Sequence, residues 1–143
     1  MARKQSKTTK QSSISTVTAQ DVATFDRLKN QMQQLYDEFT TLSKKSPDGS
    51  VNKFKLTFIN EKLAEANDLL GEKFKPSKHF STFDVDTLPT NSDVVMMLSQ
   101  YLDALESWRS SRVVKKIDYG WKWNTDDQTA IDSVQPSRYS LGE

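Results

Sequence analysis

The sequence predicts an all-α protein: an antiparallel helical hairpin with a third helix, a three-helix bundle-like arrangement. Phe25, Leu28, Met32, Leu35, Phe39 and Leu42 alternate spacings of three and four, which lines them along one face of a helix. Leu56, Ile59, Leu63, Ala66 and Leu70 repeat that spacing, and Val94, Leu98, Tyr101, Leu105 and Trp108 form a third, wider face. Between the first two seams lies only Ser46-Pro47-Asp48-Gly49, a turn with proline and glycine in favourable places, so those helices pair antiparallel.

Residues 1–17 carry Arg3, Lys4, Lys7 and Lys10, no acid, and many Ser, Thr and Gln. Too little apolar area is present to offset the entropy of ordering, so this is expected to be a disordered basic arm. Such an arm acts either as a solubilising tail or as a phosphate-contacting or phosphorylatable segment. The first helix is expected from Ala19 to Lys44 or Lys45. Thr18 is its cap, Asp21 sits at the third position, and Val17 and Val22 have the spacing of a hydrophobic staple. The second helix starts near Ser50 or Asn52 and ends at Leu70, with Gly71 as a left-handed cap and Phe54 and Phe58 widening its apolar face. Residues 72–89 break the period; their Phe74, Phe80, Phe83, Val85 and Leu88 pack over the core or cover a binding surface, and packing is the favoured expectation.

The third helix begins at Thr90, where Asp93 repeats the capping-box spacing, and is extended through Arg112 to Lys116 before Gly120 stops it. Residues 117–123, Ile-Asp-Tyr-Gly-Trp-Lys-Trp, alternate large apolar with small or polar residues, a strand pattern. With no evident strand to pair with, they are expected as an extended aromatic segment. Residues 124–143 read as a polar tail, which leaves 18–123 as the helical domain.

At 143 residues the chain has room for one core, and 35% hydrophobic content points to a compact middle with polar ends. A net charge of +1 argues for neither nucleic acid nor membrane. Cysteine is absent, which removes disulfides and thiolate metal sites. No run of about 18 apolar residues exists to span a bilayer. The expectation is a soluble, cytoplasmic protein.

Catalysis needs convergent groups, and few are present. His79 is the only histidine and has no nucleophile motif beside it. Asp84-x-Asp86 lacks the glycine and closing glutamate of a calcium loop. The four glycines are too scattered to cradle a phosphate, and Asp126-Asp127 sit where nothing would desolvate them. No enzyme activity, metal or cofactor is expected.

The stretch richest in binding chemistry is 108–123. On a continuous helix Arg109, Arg112 and Lys116 would form one basic stripe, with Lys115 and Lys122 adding charge and Tyr119, Trp121 and Trp123 interleaving rings. Cations beside rings suit single-stranded nucleic acid. The same residues suit a protein interface, where tryptophan anchors and an arginine rim recur. The expected function is therefore a small helical interaction or assembly module. It binds a protein partner or itself through Trp108, Arg109, Arg112, Lys116, Tyr119, Trp121 and Trp123, together with Phe80 and Phe83 of the loop. The alternative is a nucleic-acid-binding accessory protein that uses 108–123 and the basic arm. Three heptads in the first seam also allow a coiled coil, but Phe25, Met32 and Phe39 at its a positions are not the β-branched residues of parallel dimers. Packing within one chain is favoured.

Overall fold

The computed structural model describes residues 14–137; Arg3, Lys4, Lys7 and Lys10 of the basic arm and positions 138–143 of the tail lie outside the described residues. In order, the elements are α1 (Ala19–Lys45), α2 (Lys53–Phe74), α3 (Asn91–Ser110), β1 (Val113–Lys116) and β2 (Gly120–Trp123). The protein is mostly helical, but its two-stranded antiparallel sheet corrects the all-α expectation. Two compact units result. One is helical, Thr24–Leu105; the other joins residues 14–23 to 106–137.

Each helix start is set by a short polar side chain that takes an otherwise unpaired amide. Asp21 N donates to Thr18 Oγ1 at 3.0 Å, and Lys55 N to Asn52 Oδ1 at 2.8 Å. At α3 the capping box closes in both directions: Asp93 N donates to Thr90 Oγ1 and Thr90 N donates to Asp93 Oδ2. Gly71 has a positive φ of 68°, as its expected capping role requires, but one further helical turn follows it to Phe74. The expected stop is a break within the helix.

In the helical unit, Arg27 pairs with Glu65 and Glu38 with Lys55, each at 3.2 Å. Ascending positions on α1 meet descending ones on α2, so the hairpin is antiparallel. The turn that joins them also seats the start of α3. Asn91 N donates to Gly49 O at 2.8 Å, its buried amide donates to Ser46 O at 2.9 Å, and Val51 N donates to Pro89 O. Farther along, Tyr101 OH donates to Asn67 Oδ1 at 2.6 Å, so α3 runs beside α2 in the same direction.

The seam residues form the core. Leu28, Met32, Leu56, Ile59, Leu63, Leu98 and Leu105 are fully buried, with Phe25 and Phe39 nearly so, while Leu35 and Leu42 are half-buried. Each such side chain stabilises the fold by about 1.5–3 kcal/mol. Phe54 and Phe58 depart from expectation: they are 84% and 42% exposed. They lie off the stripe that runs through Leu56, Ile59 and Leu63, and the Lys62 ammonium stands 5.0 Å from the Phe58 ring centre.

The connection expected over 72–89 begins only after Phe74, the last residue of α2, and packs through Phe80 and Phe83, while Val85 and Leu88 are exposed. Asn60 accepts from Phe83 N and donates to Phe83 O, both at 2.9 Å, and Asn67 donates to Ser81 O at 3.0 Å. Phe80 stacks edge-on against Phe83 and Tyr101. Within the loop, Asp86 N donates to Asp84 Oδ1, so the acid pair of Asp84-x-Asp86 forms a local turn.

Candidate functional site: the C-terminal hairpin

The second unit is built around the end of α3. The helix stops at Ser110, short of the expected Lys116. Ser111 Oγ donates to Trp108 O at 2.7 Å and Arg112 N to Arg109 O at 2.9 Å, taking up the last carbonyls. The β-branched pair Val113-Val114 then favours extended backbone. A three-residue connection, Ile117 to Tyr119, turns the chain with Asp118 and Gly120 both at positive φ. The register pairs Val113 with Trp123 and Lys116 with Gly120. The basic stripe through Arg109, Arg112 and Lys116 therefore does not form, because the last two stand outside the helix.

The expected tail supplies a third extended segment. Trp123 N donates to Ile131 O and Ser133 N donates to Trp121 O, which sets residues 131–133 along the other edge of β2. Residues 15–17, the end of the expected arm, also join: Val17 N donates to Asn124 O, and Asp126 N to Val17 O, both at 3.0 Å.

Four of the nine expected binding residues hold this unit together. Trp108 and Trp123 are buried with ring centres 5.9 Å apart. Arg112 lies 4.5 Å over the Trp108 ring, and burial pulls its pKa below the usual guanidinium value, with the charge of Asp21 opposing. Arg109 is buried and donates to Glu106 at 2.6 Å. Glu106 also accepts from the backbone and hydroxyl of Ser137, each at 3.0 Å. A buried carboxylate with three donors is satisfied, and the arginine that satisfies it is committed to the fold. Trp121 is half-buried. Phe80 and Phe83, half-buried, belong to the helical unit.

What remains at the surface is the hairpin tip. Ile117 is 87% exposed and Tyr119 73%, with Lys115 and Lys116 beside them. Ile117 was legible only as part of an alternating run, and nothing in that run separates an outward residue from an inward one. A cleft of about 270 Å³ opens beside the tip, and its walls include Lys116, Tyr119, Lys122, Asn124 and Gln128.

No protein-family model matches the chain, and the comparisons with curated proteins and with solved structures gave no match. Among the described residues no helix is long and apolar enough to cross a membrane.

Proposed function

We propose that the chain is a non-enzymatic interaction module that docks a protein partner through the tip of its β1–β2 hairpin. One observation carries this reading: Ile117 and Tyr119 stand exposed on a turn whose two flanks are fixed by strand pairing. Single exposed apolar residues are ordinary on protein surfaces. Two large ones on a pinned turn, rimmed by Lys115 and Lys116, have the make-up of an interface centre with a polar border. The arrangement also limits ordering cost, since the hairpin is already folded before a partner arrives. The arginine rim expected from the sequence is replaced by lysines, because Arg109 and Arg112 are held by Glu106 and Trp108.

The test is a cross-linking pull-down with wild-type bait beside Ile117→Asp and Tyr119→Ala. Each variant is expected to lose on the order of 2 kcal/mol of partner affinity, with an unchanged thermal midpoint because neither side chain is in the core. Equal capture by wild type and Ile117→Asp would refute the assignment.

A further inference from the structure

The cleft beside the hairpin tip shares Lys116 and Tyr119 with the proposed docking surface and adds Lys122, Asn124 and Gln128. Its charged lining consists of Lys116 and Lys122, and no carboxylate borders it. Of the neighbouring acids, Asp127 accepts from Thr129 N, and Asp132 pairs with the Lys122 ammonium. Tyr119 adds a largely exposed aromatic face, and Gln128, at a positive φ of 66°, adds an amide that can both donate and accept. Two ammoniums, one of them held by the exposed Asp132, suit an oxyanion that takes that acid's place, and lysine binds phosphate as a point charge. A ring beside them suits a base, since stacking is worth about 1–3 kcal/mol and tolerates any base. About 270 Å³ is just under the ~300 Å³ at which sites for drug-sized ligands begin, room for a single unit.

We infer that this cleft binds one nucleotide, its phosphate between Lys116 and Lys122 and its base against Tyr119. The Lys122–Asp132 pair is the element that sets the affinity. Asp132 is 82% exposed, so its side of the pair is solvated and an incoming phosphate displaces it. Removing the Asp132 charge therefore strengthens binding, a gain that a misfolded variant cannot mimic.

The experiment follows tryptophan fluorescence of the full chain, since Trp123 borders the cleft, during titration with thymidine monophosphate, thymidine, inorganic phosphate and a short oligodeoxythymidylate. Thymidine monophosphate is expected to saturate, with thymidine and phosphate each at least about tenfold weaker because each offers half of the contacts. Lys116→Gln combined with Lys122→Gln should weaken the monophosphate at least about tenfold, and Asp132→Asn should tighten it. Tighter binding of the oligomer, lost in the same double variant, identifies the nucleotide as a unit of a strand; weaker oligomer binding identifies a free nucleotide. No saturation below about 10 mM, equal binding by the double variant, or phosphate binding as well as the monophosphate would each overturn the inference. Ile117→Asp is expected to weaken partner docking and, because Ile117 does not line the cleft, to leave nucleotide binding intact, so the two readings fail separately.

Discussion

At the scale of single residues, the loop over the helical unit depends on two asparagines. Asn60 and Asn67 are one heptad apart on α2 and so share a face, and both hold loop backbone rather than side chains. Asn60 is the more demanding of the two, because it satisfies both the amide and the carbonyl of Phe83. Asn60→Ala removes both partners at once and is expected to cost about 1–3 kcal/mol, measured as a lower urea midpoint. Amide exchange at Phe83 should rise in the variant, while amides in the core of α1 keep their protection relative to the new global stability. A Phe83 amide as protected as in wild type would show that ring packing alone holds the loop. The asparagine pair was not legible in the sequence, since polar residues seven apart on a helix ordinarily mark its solvated side. Their meaning depends on a loop that returns from 14 to 23 positions downstream.

Among the elements, the helices were legible and the sheet was not, for one physical reason. A helix announces itself by periodicity over many turns and by local caps, and Thr18, Asn52 and Thr90 each make the bond that their position implied. The alternation of 117–123 was read as a strand pattern and contains β2, but its four-residue partner β1 follows closely on a helix whose cations suited its continuation. The usable signal was the pair of short runs around Ile117-Asp118-Tyr119-Gly120, a hairpin spacing with glycine at its end. The error propagated to the site: a helical stripe of arginines was expected where one arginine is buried and the other stacked on a ring. The α1–α2 pairing gives a further prediction. The Arg27 guanidinium, helped by Lys62, holds the Glu65 carboxyl below the usual carboxylate range, against the opposing effect of partial burial. A depressed carboxylate contributes stability above its unfolded pKa of about 4.3 and loses it as pH falls through the lower folded value. Glu65→Gln should thus lower the urea midpoint slightly at pH 7, by less than about 1 kcal/mol because both groups are partly exposed, and not at all near pH 2. A gap of equal size at both pH values would show that shape, not charge, is the contribution of Glu65.

For the whole molecule, the decisive fact is where the α1 seam went. Three heptads of apolar residues serve either a coiled coil between chains or a bundle within one. Phe25, Leu28, Met32 and Phe39 are at most 1% exposed in the single chain, so their apolar area is already covered by the chain's own residues. At those four positions little apolar area is left for a second copy to cover, while Leu35 and Leu42 on the same seam are half-buried. The thermal midpoint is therefore expected to stay constant over a roughly hundredfold range of protein concentration, whereas folding coupled to association would raise it. Met32→Ala should lower stability by about 2–5 kcal/mol through the cavity it leaves, without adding any concentration dependence. A midpoint that climbs with concentration would return self-association to consideration, and the variants locate it. Dependence abolished by Met32→Ala would place the contact on α1 and contradict the intrachain bundle. Dependence abolished by Ile117→Asp would place it at the hairpin tip, making the docked partner a second copy of the chain. The core of the helical unit and the docking surface then answer to different substitutions, as expected if the bundle is a scaffold and recognition lies in the short sheet that the periodicity concealed.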